Sequence, residues 1–290
     1  MDMLNTILNL LLPPLTIIFL YLFYPFYLLI KLVIYLCNHY LRFEDVAGRV
    51  VLITGASSGI GEHLAYEYAK KGAYLALVAR RKDRLEIVAE TSRQLGSGDV
   101  IIIPGDVAKV EDCKKFIDKT IHHFGKLDHL INNAGVFQTV LFEDITQIKD
   151  TNPIMSKGKI IVISSGSANM PLPLASIYSA SKAALLRFFE TLRVELSPDI
   201  KITIVLPGLI ATDMTTPRFI EKYGSDFIMS ESVSTCAKAI FRGIGRGETY
   251  IEEPSWMKWI FLMKTICPEI FDYSLSYLFF RYLKPYFKRD

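Results

Sequence analysis

The sequence predicts an α/β fold, a doubly wound parallel sheet of the Rossmann kind, preceded by an apolar N-terminal membrane anchor. Three observations carry that expectation. From residue 50 onward, short β-rich runs alternate with helical stretches, the pattern of parallel strands joined by crossover helices. A glycine-rich turn, Thr54 to Gly61, joins the first strand to the first helix. Ahead of both, no charged residue lies between Met3 and Ile30.

The anchor accounts for a mean hydropathy of +0.28, high for a soluble enzyme. Over residues 1–42 only Asp2, Lys31 and Arg42 are charged. The run from Leu4 to Leu36 is long enough to cross a hydrocarbon core of about 30 Å as a helix. A cleavable signal peptide fits poorly, because the segment before the apolar run is not basic and no small-residue cleavage site follows it. Pro13, Pro14 and Pro25 leave two readings open, a crossing helix or a hairpin that dips in and returns. Lys31, His39 and Arg42 favour keeping the C-terminal flank, and the domain after it, on the cytoplasmic side.

Three regions follow: the anchor 1–42, a catalytic domain 43–253, and an aromatic-rich extension 254–290. Val50 to Thr54 reads as a buried parallel strand, and Glu62 to Lys71 as a helix closed by Gly72. Tyr74 to Ala79 is the second strand and Lys82 to Leu95 the second helix. The alternation continues with strands at Val100–Ile103, Leu130–Ile131, Lys159–Ile163 and Ile202–Leu206. Helices are expected at Val110–Phe124 and Ser176–Leu196. The extension, with Trp256, Trp259, Tyr273 and Tyr277, reads as a substrate-side cap, a second interfacial contact or a packed terminus.

Composition excludes several classes. The 33 Lys and Arg against 30 Asp and Glu give a net charge of +3, no support for nucleic-acid binding. Cys37, Cys113, Cys236 and Cys267 form no metal or disulfide spacing. His122 and His123 lack a carboxylate or cysteine at ligand spacing, so no metal site is expected. There is no P-loop lysine and no nucleophile elbow.

Four constellations carry chemistry. In Gly55-Ala56-Ser57-Ser58-Gly59-Ile60-Gly61 the glycines permit a tight turn, and the backbone N–H groups at the following helix N-terminus attract a pyrophosphate. Arg80, at the end of the second strand, stands where an acidic residue would hold the ribose hydroxyl of NAD. An arginine there accommodates the 2′-phosphate of NADP, reinforced by Arg81 and Lys82. Asp106 and the run Asn132-Asn133-Ala134-Gly135 follow the third and fourth strands, facing the crevice at the strands' carboxyl ends. Finally, Tyr178 and Lys182 share a helix face, with Ser165 at the end of the fifth strand. A tyrosine of pKa about 10 is a poor acid–base group at neutral pH, and a neighbouring ammonium is expected to lower that value.

In this order the motifs resemble the short-chain dehydrogenase/reductase family over about Ala47 to Glu253, and with the anchor the chain resembles the plant steroleosins, 11β-hydroxysteroid dehydrogenase-like proteins of lipid droplets. The resemblance implies strand order 3-2-1-4-5-6-7, NAD(P) as hydride carrier and an alcohol/ketone couple on a steroid or sterol. It makes Gly55, Gly59 and Gly61 the phosphate turn, with Ser57, Ser58 and Ile60 between them, and Arg80 the 2′-phosphate contact. Asp106 would touch adenine, Asn132 would support the central strand beside Ala134, and Pro207 and Thr212 would lie beside the nicotinamide. Tyr178 becomes the general acid–base, Lys182 the ribose contact that tunes it, and Ser165 the group orienting the substrate oxygen.

One departure stands out. The family carries a long helix between the fourth and fifth strands, with an asparagine completing a catalytic tetrad. Here only Val136 to Gly158 separates those strands, on the order of twenty residues short near Met155-Ser156. The implied dimer surface, built from that helix and the Tyr178 helix, loses part of its material. Two functions are therefore expected. One is an NADP-dependent hydroxysteroid dehydrogenase anchored to a lipid droplet or endoplasmic reticulum membrane, with a lipid-ketone reductase as its nearest chemical neighbour. The other is a non-catalytic membrane-surface protein, a shortened form lacking the tetrad helix.

Overall fold

The computed structural model describes residues 2–41, 43–134, 158–173, 175–212, 230–278 and 280–281. The crossover expected to be short, Val136 to Gly158, therefore falls almost wholly outside the described residues. The chain divides into two compact units, Met1–Glu44 and Asp45–Asp290.

The first unit is one helix, α1 (Asp2–Leu41), with Pro13, Pro14 and Pro25 inside it. The apolar segment forms one continuous helix. Proline removes a backbone donor in mid-helix. Near the first pair, the Thr16 hydroxyl gives the Leu12 carbonyl a second donor at 2.7 Å. The stretch Leu10–Val33 is long and apolar enough to cross a membrane, and none of it is buried within the chain.

The second unit is built on a seven-stranded sheet in the order β3-β2-β1-β4-β5-β6-β9. Its strands are β1 (Val50–Thr54), β2 (Tyr74–Ala79), β3 (Val100–Pro104), β4 (His129–Asn132), β5 (Gly158–Ile163), β6 (Ile200–Pro207) and β9 (Tyr250–Glu253), and every pairing is parallel. A small parallel pair, β7 (Ile210–Ala211) with β8 (Glu231–Ser232), lies after β6. The order is the expected one, with β9 as the seventh strand.

The helices of this unit are α2 (Gly59–Ala69), α3 (Lys82–Gln94), α4 (Val110–Phe124), α5 (Ser176–Leu196), α6 (Val233–Gly245), α7 (Met257–Ile266) and α8 (Pro268–Leu278). The α4 and α5 bounds match those read from the sequence. Helix α2 instead begins at Gly59, three residues before the expected start, because the glycine turn runs straight into it. Gly72, at φ +72, ends the connection from α2 to β2.

Strand side chains alternate between two cores. Val51, Ile53, Leu75 and Leu77 meet Leu64 and Tyr68 of α2, Leu85 of α3 and Ile240 of α6. Val50, Leu52, Ile160 and Val162 meet Phe116 of α4 and Leu186 and Phe189 of α5. Strands buried on both faces are what an all-parallel sheet requires.

Candidate functional site

The expected site residues gather at the carboxyl ends of the strands. The turn after β1 comes first. Gly55 has φ +67, and a Cβ there would meet Asn133 Nδ2 at 2.9 Å and the Ala134 backbone at 3.0 Å. A Cβ on Gly61 would meet Asn133 Nδ2 and the Gly55 carbonyl oxygen at 2.5 Å each, so both positions exclude side chains. The N-terminus of α2 thus opens onto bare backbone, as an anion-binding turn needs. Across the crevice, a Cβ on Gly59 would lie 3.5 Å from Thr212 Cγ2, so Thr212 faces the turn from the far side. Ser57 is buried, and Ile60 packs against the first core.

The support expected from Asn132 is provided by its neighbour. Asn133 Nδ2 donates to the carbonyls of Thr54 (3.0 Å) and Gly55 (3.3 Å). The Thr54 hydroxyl accepts from the backbone N–H groups of Asn133 and Ala134, both at 3.1 Å, and donates to the Ile131 carbonyl. Asn132 is itself a strand residue in register with Val162. In a two-asparagine motif, spacing alone does not say which member turns back toward the glycine turn.

Arg80 lies exposed just past β2. The guanidinium that reaches the glycine turn belongs to Arg81, whose Nη2 donates to Ser58 Oγ at 2.8 Å and Ser57 Oγ at 3.3 Å. Ser58 is the N-cap of α2 and Arg81 the N-cap of α3, so two helix N-termini flank this point. Asp106 holds its own turn: Oδ1 accepts from Ala108 N at 3.1 Å, and Asp106 N donates to Asp112 Oδ2 at 2.9 Å.

The acid–base group is assembled where β5, α5 and β6 meet. Ser165 accepts from the Ser167 N–H at 3.2 Å and the Ser167 hydroxyl at 3.0 Å, capping a short 3-10 helix (Gly166–Ala168). Its neighbour Ser164 is buried and donates to the Lys182 carbonyl at 3.1 Å, fixing α5 against the end of β5. A Cβ on Gly166 would lie 3.4 Å from the Pro207 carbonyl, so the serine turn and the β6 end approach closely. Ser165, Tyr178, Lys182 and Pro207 are thereby brought together.

The electrostatics correct one expectation. Tyr178 is raised above its ordinary value, not lowered: burial dominates, and the hydrogen bond with Ser165 opposes it. Lys182 Nζ lies over the Tyr178 ring, 5.7 Å from its centroid. Burial also pulls Lys182 itself down to about 8. The sequence pairs the two residues correctly but says nothing of the desolvation both undergo.

Parallel strands ending in a glycine cradle, with a serine, a tyrosine and a lysine at their carboxyl ends, define a dinucleotide-dependent oxidoreductase site. The chain belongs to the short chain dehydrogenase family, whose profile matches residues 49–222. Over 310 aligned positions covering all of both chains, it is 79% identical to 11-beta-hydroxysteroid dehydrogenase-like 3 of Arabidopsis thaliana. It is 44% identical to 11-beta-hydroxysteroid dehydrogenase A of Arachis hypogaea, over 96% of this chain and 89% of that one. Among solved structures, a short chain dehydrogenase/reductase from Burkholderia phymatum in complex with NAD shares the fold, at 21% identity and TM-score 0.66 over 78% of this chain and 96% of that one. L-Sorbose reductase from Gluconobacter frateurii, complexed with NADPH and L-sorbose, is 27% identical at TM-score 0.61, over 72% and 97%. The chain is thus an oxidoreductase of this family, homologous to the hydroxysteroid dehydrogenase-like proteins, and the family's cofactor is a nicotinamide dinucleotide.

The residues present fit that cofactor. The Gly55 and Gly61 cradle would be filled by any side chain, and the α2 N-terminus and Thr212 bound the crevice beside it.

Proposed function

We propose that this chain is an NADP-dependent hydroxysteroid dehydrogenase, interconverting an alcohol and a ketone on a steroid or sterol, tethered by α1 to a lipid droplet or endoplasmic reticulum membrane. The observation that carries the chemistry is the Ser165–Tyr178–Lys182 cluster at the strand ends. The preference for NADP rests on the arginines after β2, with Arg81 on the serines of the glycine turn. The substrate class rests on likeness to the plant relatives, and the tether on the exposed apolar helix Leu10–Val33.

When bound, the nicotinamide supplies or accepts the hydride. The glycine turn and the α2 N-terminus would hold the pyrophosphate, and Thr212 and Pro207 would bound the nicotinamide end. Ser165 donates a hydrogen bond to the substrate oxygen and orients it. The Tyr178 hydroxyl gives that oxygen its proton during reduction, and the phenolate takes the proton back during oxidation. The Lys182 ammonium favours the phenolate once it approaches the hydroxyl.

Turnover of a steroid panel with NADP⁺ tests this reading against a Tyr178→Phe variant. Activity in the parent chain that the variant loses supports it; equal background rates in both would overturn it.

A second reading is favoured by the alignment itself. The 310 positions shared with each of the two Arabidopsis relatives, 79% and 74% identical, exceed the 290 residues of this chain by twenty. We place that deletion in the crossover Val136 to Gly158, which would remove the tetrad asparagine and leave a membrane-surface protein that binds dinucleotide without efficient turnover. Tight NADPH binding with no rate above Tyr178→Phe is the result expected from this form.

A further inference from the structure

The C-terminal helices present two surfaces of opposite purpose. On the inner side Met257 and Phe271 are buried, and Lys264 Nζ donates to the Asn169 carbonyl just after the 3-10 helix. Gly166 and Gly208 leave room for Met257, since a Cβ on either would collide with its side chain. Helix α7 is thus pinned beside the Ser165 turn.

The outer side is apolar where a surface helix would be polar. Trp259 is 72% exposed, Ile266 67%, Ile270 62% and Tyr273 75%. On α7 the exposed residues Trp259, Leu262, Met263 and Ile266 fall at i, i+3, i+4 and i+7, one continuous stripe. On α8, Ile270, Tyr273 and Tyr277 repeat the pattern. A soluble monomer does not leave such adjoining stripes in water without a partner for them.

We propose that the outer faces of α7 and α8 dock on an anionic phospholipid surface as a second, peripheral membrane contact. The proposal rests on the reading of α1 as the membrane tether. Three features select lipid over a second copy of the chain. Trp, Tyr and aliphatic side chains are mixed as they are at a headgroup boundary. The last ten residues carry Arg281, Lys284, Lys288 and Arg289 against Asp290, a net positive charge that anionic headgroups attract and a second copy would repel. The connection 42–49 is short, so a tethered domain meets the bilayer at high effective concentration.

The test uses the only two tryptophans in the chain, Trp256 and Trp259, both on this surface. Full-length protein is reconstituted into phosphatidylcholine–phosphatidylserine vesicles with brominated acyl chains, and tryptophan emission and co-flotation are measured together. Docking predicts a blue shift and at least twofold quenching. Both should be weakened in a Lys284→Gln/Lys288→Gln/Arg289→Gln variant, while co-flotation persists. A chain that co-floats with unquenched, solvent-like tryptophans overturns the docking surface and leaves the tether standing. A chain that does not co-float overturns both. A blue shift that follows protein concentration and ignores lipid assigns the face to self-association and also overturns the proposal.

Discussion

On one face of the sheet α2 buries Leu64, Ala65 and Tyr68, and α6 buries Cys236, Ala237, Ile240, Phe241 and Ile244. On the other face α5, 21 residues long, fully buries only Leu186 and Phe189 among its described contacts, with Leu185, Phe188, Leu192 and Leu196 half-buried. The first face carries the glycine turn; the second carries Tyr178 and Lys182. The difference separates two tasks. The tight face holds the fold and positions the dinucleotide, while the looser one presents the proton-transfer groups, whose burial costs stability.

The strongest way to break that separation is Tyr178→Phe. It removes one hydroxyl from α5, so turnover should fall by roughly 10²–10⁴-fold while the melting temperature holds or rises. A marked loss of stability in this variant would mean that the looser face also holds the fold.

Core truncations give the converse. Leu64→Ala on the tight face should cost about 2–5 kcal/mol by denaturant unfolding. Leu192→Ala, half-buried on α5, should cost on the order of 1 kcal/mol. Equal costs would show that the α5 face is as closely packed in solution as the α2 face.

Lys182→Met sharpens the comparison, because it should abolish turnover and raise stability together. A buried lysine near pKa 8 disfavours folding while protonated, and its ordinary value is 10.5. The penalty is complete below pH 8 and fades as pH rises toward 10.5, because over that range the unfolded chain binds the extra proton. The gap from 8 to 10.5 corresponds to about 3 kcal/mol. The variant's advantage over the parent should therefore be largest at neutral pH and shrink between pH 8 and 10.5. An advantage that did not change with pH would locate the gain in packing instead of charge.

How much of this was legible in the sequence depended on what kind of signal carried it. The positions of β1 to β6 and the bounds of α4 and α5 could be read because buried parallel strands and amphipathic helices repeat at fixed periods, whereas the strand order came from the family resemblance and β9 carried too short a run to be read. The site residues were readable as a set because glycine turns and the Tyr178/Lys182 spacing are local. Choices between neighbours were not local. Asn133 over Asn132 is settled by which side chain reaches back across the sheet to Thr54 and Gly55. The direction of the Tyr178 shift is set by burial, which depends on everything packed around α5. The outward stripes on α7 and α8 needed the fold to show which side was already occupied.

Arg81 offers the smallest effect and the finest division. It lies at the N-cap of α3, on the tight face, and bonds the two serines that open α2. The bond to Ser58 is exposed and the longer one to Ser57 part-buried, so Arg81→Ala should cost little stability. Its expected consequence is in selectivity. A guanidinium held beside two hydroxyls and two helix N-termini suits the adenosine phosphate that distinguishes NADP from NAD, and charged hydrogen bonds of this kind support roughly tenfold discrimination. Titrating NADPH and NADH by their fluorescence, without substrate, measures that ratio directly. Arg81→Ala should lose most of any preference for NADPH, and Arg80→Ala should lose less. The reverse order would return the phosphate contact to Arg80, the residue the resemblance implies. It would also mean that Arg81 serves the turn and not the ligand.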